Sequence, residues 1–400
     1  MWEQIRSNQI RSLILVAAMG ILLLLVGFGL GYAFGNGIAG LVIALVIWAI
    51  MNMVAYFQGD SILLSMSKAI PIGPDDHPRL YNTVEEMKIA SGLEAMPKVY
   101  IIDDPALNAF ATGRDPTKAS VAVTSGLLEK LNRDELQGVV GHELSHIKNR
   151  DVLLMSLCSV ILGTIVILSW YGSRAILFSG GGRRSSSKGG GQAQLIIFAV
   201  AIILMILAPI FAQLIYFAIS RKREYLADAS SALYTRYPEG LASALEKISG
   251  STHQLKSANQ ATAPMYISNP FRQKGRAATD LTSTHPPASE RIRILRTMAG
   301  GSFADYESAY SKVHKGGGSI MPATALVGTE TVQFRAPASG PVVGKPEPGR
   351  LERTREVSDL MWQKSGYKII PCDCGTKLKV PSNLGRASVK CPHCGRTHNI

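Results

Sequence analysis

Two apolar runs near the start of the chain decide what surroundings it can fold in. Leu13 to Phe34 is an uninterrupted apolar stretch of 22 residues, and Ile38 to Phe57 a second of 20, broken only by Asn52 near its end. As helices, each is long enough to cross a hydrocarbon core about 30 Å thick. The link between them, Gly35-Asn36-Gly37, is uncharged and very short, so the two form a tight hairpin. Arg6 and Arg11 precede the first run, as in a signal peptide, yet the run is too long for a secretory h-region and a second follows at once. The same arginines place the N-terminus inside by the positive-inside rule, which returns the chain to the cytoplasm at Gln58.

Val152 to Tyr171 and Leu195 to Ile219 are a third and a fourth apolar stretch. The segment between them is a flexible Gly/Ser-rich loop, with Gly180-Gly181-Gly182 and Ser185-Ser186-Ser187. It carries Arg174, Arg183, Arg184 and Lys188 with no acid. If both stretches span, this loop lies outside, against the positive-inside preference, and Arg221-Lys222-Arg223 afterwards restores the inside bias. Their lengths favour two spans; a re-entrant or peripheral hairpin is the alternative. A hydrophobic content of 46% with 18% charged residues fits a chain that meets the lipid bilayer. The net charge is +13, and about half of the excess sits from Lys315 to Ile400, where 13 Lys/Arg face 6 Asp/Glu. Such a tail suits anionic headgroups, or serves solubility alone.

Between the hairpins, Gln58 to Asp151 reads as a soluble α/β segment. Lys98 to Ile102 and Ser120 to Thr124 are short, β-branched, strand-like runs. From about Arg133 to Arg150, Leu136, Val139, Val140, Leu144 and Ile147 recur at helical spacing, and Asn132 with Glu135 forms a capping-box pair at the start. Leu241 to Ile248 and Glu290 to Met298 are further helical patterns, separated by a polar, irregular stretch from Ser251 to Ser283. Gly316 to Gly349 is rich in Gly, Pro, Ala and Thr and reads as a linker that lets the tail move independently. The expected organisation is a transmembrane hairpin (1–57), a first part of a catalytic domain (58–151), a second hairpin (152–219), a second catalytic part (220–314), a flexible linker (315–365) and a small terminal module (366–400).

The helix at 133–150 contains His142-Glu143-Leu144-Ser145-His146. Two His at i and i+4 share one face, so both imidazoles can reach one ion. Zinc suits neutral imidazole and, at a catalytic site, takes three protein ligands, leaving a position for water. Glu143 projects beside that water, able to accept its proton and pass it to a leaving amine. A third ligand is required, and Glu224, in Glu224-Tyr-Leu-Ala-Asp228, is the best candidate; spacing alone equally allows an ion pair with Arg221-Lys222-Arg223. Asp228, one turn on, could hold a ligand His by its other ring nitrogen. The competing view is a non-catalytic zinc-containing membrane scaffold, against which Glu143 argues, since a purely structural metal site needs no base.

His142-Glu-Leu-Ser-His146-Ile-Lys-Asn149-Arg-Asp151, two apolar stretches, then Glu224-Tyr-Leu-Ala-Asp228 resembles the HtpX-type membrane metalloproteases, relatives of the prenyl-protein (CAAX) endopeptidases. Asn108-Ala-Phe-Ala-Thr-Gly113 before the helix, and Thr284-His-Pro-Pro287 before Glu290-Arg-Ile292, extend the likeness over roughly residues 1 to 300. The resemblance implies a predominantly α membrane protein with a small β-sheet, its gluzincin-type metallopeptidase domain interrupted by transmembrane helices. It implies Glu224 as third zinc ligand with Asp228 beside it, and a zinc endopeptidase on the cytoplasmic side of the cell (inner) membrane. The implied substrates are misfolded or unfolded membrane and other proteins, cut by attack of zinc-activated water. Asn108, Ala109, Phe110 and Ala111, with Val121 and Val123, match segments that line the cleft, where a substrate backbone would add to a strand edge. His285 matches a His that steadies the oxyanion; Arg291 could do the same, or pair with an acid.

Of the five Cys, Cys158 lies in an apolar run, whereas Cys372, Cys374, Cys391 and Cys394 form two close pairs with sixteen residues between them. That pattern reads as a four-thiolate zinc ribbon in a reducing compartment, with Gly375 and Gly395 allowing the knuckle turns. The expected zinc count is therefore one catalytic and one structural. The ribbon is either a stability unit or a docking module for a substrate or partner. Few aromatics are available for base stacking, so no nucleic-acid partner is expected.

Overall fold

The structure, a computed structural model, describes residues 2–33, 35–152, 162–171, 174, 203, 206–210, 221–256, 265–268, 285–315, 319–327, 332–337, 347–385 and 388–399. Helices α1 (Trp2–Ala33) and α2 (Gly37–Met66) form the N-terminal hairpin. Gly35 turns the chain at φ 98°, and Asn36 caps α2 by accepting from the Ala39 N–H at 3.0 Å. Glycines let the two helices touch: a Cβ at Gly27 would come within 2.2 Å of the Ala44 Cβ. The hairpin's outer faces expose Leu13, Ile14, Ile43 and Val46, among others. Among the described residues α2 alone is long and apolar enough to cross a membrane, with a mean hydropathy of 2.5; the apolar part of α1, Val16–Tyr32, is shorter. α2 continues to Met66, past the expected boundary at residue 57. Most of the third and fourth apolar stretches, the loop between them and Cys158 lie outside the described residues.

The sheet has the order β1-β2-β4-β3, with β1 Ala69–Ile72, β2 Lys98–Ile102, β3 Ala109–Gly113 and β4 Ala119–Thr124. β2 and β4 run parallel, and β1 and β3 pair antiparallel on the two outer sides. Both expected strands are present, and β4 is interior. On one face Val99, Ile101, Val121 and Val123 join the main core, under the metal-motif helix α5 (Arg133–Lys148) and α3 (Pro78–Ser91). On the other face Ile102, Phe110 and Ala122 pack with Leu63 and Leu64 from the end of α2. α5 starts on the expected capping box, with Asn132 and Glu135 each accepting from the other's backbone N–H. Glu135 is held further by Ser243 at 2.6 Å and Lys247 at 2.7 Å from the Pro238–Gly250 helix.

In the stretch expected as a flexible linker, 315–365, several of the described residues are anchored to the rest of the protein. Residues Arg350–Lys364 form a helix whose Val357 and Leu360 are buried in the main core. Arg353 Nε donates to the Glu129 carbonyl at 3.2 Å, beside α4 (Ser125–Lys130), and Lys364 pairs with Asp76 at 2.8 Å. Before it, the Val332 carbonyl accepts from Gly301 N–H at 2.8 Å. Gly/Pro-rich composition concealed a few well-spaced anchors, and a few suffice to dock a strap. The ribbon (β5 Tyr367–Pro371, β6 Lys377–Pro381, β7 Ser388–Lys390, β8 Thr397–Asn399) follows at once and is carried on this helix. Trp362 meets Tyr367 edge-on at 4.6 Å, and Lys377 pairs with Asp359 at 2.6 Å.

α5 fits its neighbours by lacking side chains. A Cβ at Gly138 would lie 2.6 Å from Leu241 N and 2.8 Å from Leu241 Cα, both backbone atoms. Gly138→Ala should therefore lower the melting temperature. The overpacking penalty of about 1–3 kcal/mol outweighs the roughly 1 kcal/mol of helix propensity gained. A variant that melts above wild type would show that the two helices separate freely.

Candidate metal centre

α5 and helix 221–235 lie antiparallel. Ser231 Oγ donates to the Gly138 carbonyl at 2.7 Å, and the same register sets Asp228 and Glu224 opposite His142 and His146. His142 Nε2 and His146 Nε2 are 3.3 Å apart, and each lies 3.5 Å from a Glu224 carboxylate oxygen. Three donors bound tetrahedrally to zinc at about 2.05 Å would be spaced by about 3.3 Å. The two imidazoles meet different oxygens of the Glu224 carboxylate, Oε2 and Oε1, and one donor atom from each of the three residues lies within 4.8 Å of the others, near the spacing of a zinc site, so Glu224 faces the imidazoles rather than the preceding cationic cluster.

The outward ring nitrogens are also engaged. His142 Nδ1 lies 3.0 Å from Asp228 Oδ1, and His146 Nδ1 lies 3.2 Å from Asp151 Oδ2. Each carboxylate favours the tautomer with its proton on Nδ1, which leaves Nε2 as the lone-pair donor. Asp228 is in turn gripped by Arg291, whose Nε and one terminal nitrogen donate at 2.8 and 2.6 Å. Arg291 therefore pairs with an acid, the second of its two expected possibilities. Asp151 had no assigned role in the sequence. It reaches back because α5 ends at Lys148 and Arg150 adopts a left-handed turn at φ 57°. An arginine there gives no local warning of such a turn, since glycine or asparagine is the usual occupant.

Apart from His146, which is partly exposed, these groups are buried. Burial works against a charged His142, but the Asp228 and Glu224 carboxylates overcome it and raise its pKa to about 9 among protein groups alone. Burial likewise opposes ionisation of Glu224 and Asp228, yet His285 and His142 hold Glu224 well below the usual range, and Arg291 and His142 hold Asp228 down. Glu143 is shifted the other way: burial raises it, and the neighbouring histidines only partly compensate.

The residues surround a cleft that Glu143, His285, Ala111, Met265 and Ile267 also line. His285 Nδ1 is 2.8 Å from Glu224 Oε2. Of the residues expected to contact substrate, only Ala111 lines the cleft. Val121 and Val123 are fully buried on an interior strand paired on both sides, and reach no substrate. Asn108 Nδ2 donates to the Ser268 carbonyl at 3.0 Å, and Ile267 N–H donates to the Ala109 carbonyl at 3.0 Å. Phe110 points to the opposite face of the sheet, against Tyr266 at 5.2 Å. The segment 265–268 thus occupies part of the strand edge; its place beside β3 is a long-range contact that no spacing in the sequence shows.

A model of Peptidase family M48 matches residues 74–299. The chain belongs to this family. A "Protease HtpX homolog" of Dictyoglomus turgidum is 45% identical over 297 residues, 74% of this chain and 94% of the relative. Another, from Lactobacillus helveticus, is 43% identical over 301 residues, 74% of this chain and 100% of its own length. The solved structure "Crystal Structure of S. mikatae Ste24p" aligns with a TM-score of 0.40 and 21% identity, covering 74% of this chain and 67% of that one. The strap and ribbon, from 319 onwards, lie beyond the family match.

In the ribbon, Cys372 Sγ is 3.5 Å from Cys394 Sγ, and Cys374 Sγ is 3.7 Å from Cys391 Sγ. Zinc–thiolate bonds of about 2.3 Å imply sulfur separations of about 3.8 Å. The four thiols fit one ion despite the single residue between the first pair.

Because Asp151 orients a candidate ligand from outside the donor set, Asp151→Ala should weaken metal binding about 10–100-fold. Competition with a chromophoric chelator measures this. Unchanged affinity would separate Asp151 from the metal centre.

Proposed function

We propose that this chain is a zinc metalloendopeptidase working at a membrane surface, with His142, His146 and Glu224 as the catalytic zinc ligands. The observation that carries this is the spacing, 3.3 Å between two Nε2 atoms and 3.5 Å from each to an oxygen of one carboxylate, beside a second buried carboxylate, Glu143, in the same cleft. Zinc bound there would supply Lewis acidity, polarising the scissile carbonyl and acidifying water. Glu143 is the general base: it takes a proton from the attacking water and returns it to the departing amine. Burial raises its pKa above the usual carboxylate value, which makes it a stronger base toward a proton of water. Asp228 and Asp151 hold the ligand imidazoles, and Arg291 holds Asp228. His285 lines the cleft, where an imidazole can donate to the oxyanion as it forms.

Substrate enters along β3. Asn108 carbonyl accepts from Thr124 N–H, toward β4, while the Ala109 carbonyl accepts from Ile267 on the other side. Strand alternation then turns the peptide groups of Ala111 and Gly113 outward, where an extended chain can add to the sheet next to the metal. Recognition through main-chain groups suits unfolded proteins, since it demands an extended backbone before any particular side chain. The apolar N-terminal hairpin, and the apolar stretches of 152–219 if they form a second one, would keep this cleft close to the bilayer, and the positive-inside preference would put the catalytic domain and ribbon on the cytoplasmic side. Misfolded membrane proteins fit that placement. The ribbon's four Cys hold a second, structural zinc.

Three measurements test this. Glu143→Gln should keep both zinc ions but lose about 10²–10⁴-fold in turnover of an unfolded protein, the usual cost of a missing general base; near-normal turnover removes Glu143 from the mechanism. Glu224→Ala should hold close to one zinc per chain instead of two. A full complement, at a chelator level that strips His142→Ala, would refute the ligand assignment. A single Cys at position 186, in a background without other reactive thiols, should label from outside with an impermeant reagent. Labelling only after permeabilisation would favour the re-entrant arrangement.

A further inference from the structure

The two helices that carry the candidate zinc ligands are joined at their far ends by a residue outside the family match. Arg335 Nε donates to the Thr235 carbonyl at 2.8 Å, and its backbone N–H to the Arg236 carbonyl at 3.0 Å, both at the C-terminal end of helix 221–235. One terminal nitrogen of the same guanidinium donates to Asp134 Oδ1 at 2.6 Å and Gln137 Oε1 at 2.7 Å, in the first turns of α5. The other donates to the Ala336 carbonyl at 2.9 Å, and the guanidinium lies over the Tyr237 ring at 5.2 Å. We propose that Arg335 is a positioning residue for the metal centre, a staple that fixes the spacing of the two ligand-bearing helices from the end opposite the ion.

The chemistry of the contact supports a directional role. A planar guanidinium with five donors can serve a helix C-terminal carbonyl and two side chains at once, whereas an ammonium cannot reproduce the fork. Its charge sits at the C-terminal end of helix 221–235, where the helix dipole favours a cation, and pairs at the start of α5 with the Asp134 carboxylate. Glu347 adds to the grip, accepting from the Arg133 N–H at the start of α5 at 2.6 Å. The strap is itself anchored on both sides of Arg335, by Gly301 on Val332 and by the buried Val357 and Leu360 of the following helix.

Near the metal, the same two helices meet through His142 and Asp228. Between the ends they are in contact at Gly141 and Ser231, where a Cβ on Gly141 would lie 3.2 Å from Ser231 Oγ. With both ends tied, neither helix can slide or splay without breaking a charged contact. A displacement of a few tenths of an ångström at Glu224 changes donor spacing directly, so loss of the staple reaches the ion through geometry. This inference rests on the zinc site proposed above.

Zinc release from purified full-length protein, followed with a chromophoric chelator, tests it. Wild type should show two phases, and the ribbon phase is identified by its disappearance in Cys391→Ser. Arg335→Ala should weaken the other phase about 10-fold, the lower end of what lost outer contacts cost, and leave the ribbon phase in place. On an unstructured peptide its kcat should fall with KM unchanged. Arg335→Lys should recover melting temperature more fully than zinc affinity. Arg335→Ala and Asp134→Ala should be non-additive, as partners in one contact are. If Arg335→Ala lowers melting temperature but keeps zinc affinity within two-fold of wild type, or changes neither, the positioning role is overturned. A wild-type protein that releases only ribbon zinc overturns the metal-site assignment itself, and the staple with it.

Discussion

The antiparallel contact between α5 and helix 221–235 is the constraint on which the rest depends. It is close because Gly141 presents no side chain, and Ser231 fills the seam with a hydrogen bond to the Gly138 carbonyl. Close approach fixes register, and register sets residues 142 and 146 on one helix against 224 and 228 on the other. Two helices carrying the same residues a turn out of step would hold the imidazoles and the carboxylate too far apart for a single ion. The sheet and α3 support α5 from one side, and the Pro238–Gly250 helix supports it from another, through Gly138 and Glu135.

Around that seam the protein buries an unusual density of charge: His142, Glu143, Glu224, Asp228 and Arg291 are all at most 2% exposed. Ion pairs in such surroundings seldom add net stability, because desolvation consumes the Coulombic gain, while removal of one partner costs about 3–5 kcal/mol. Their use here is orientation. Arg291 aims Asp228, Asp228 aims His142, and Asp151 aims His146, so that each ring nitrogen has one assigned task. A divalent cation among the two histidines and Glu224 would further balance the surplus of carboxylates.

The tail alters how the chain is understood as a whole. A ribbon on a free tether would gather partners without touching the site. Here the strap returns to the catalytic domain, contacts the starts and ends of the ligand helices, and continues into a helix whose apolar side is part of the same core. These segments lie beyond the residues that the Peptidase family M48 model matches. The ribbon follows that helix and pairs with it through Trp362 with Tyr367 and Asp359 with Lys377.

Local physics made much of this legible without coordinates. Helical periodicity, the Asn132–Glu135 capping box and the i, i+4 histidines all depend on residues within two turns of each other, and α5 formed as that pattern requires. The strand runs at 98–102 and 120–124 were legible for the same reason, as were the four ribbon thiols, whose knuckles close over a few residues. The tertiary structure alone decided which strand is the edge: alternating valines mark β4 as a strand, but only its pairing on both sides buries Val121 and Val123 beyond substrate. It alone brought Asp151 back to His146, through a turn at an arginine, and set Arg291 on Asp228 across 63 residues of sequence. It also tied Arg335 to Asp134 over a separation of 201 residues. Short-range order follows from backbone sterics and side-chain period, which a sequence carries in place. Contacts between distant segments depend on how whole elements pack, and a single chain of letters does not record which of many polar groups will meet.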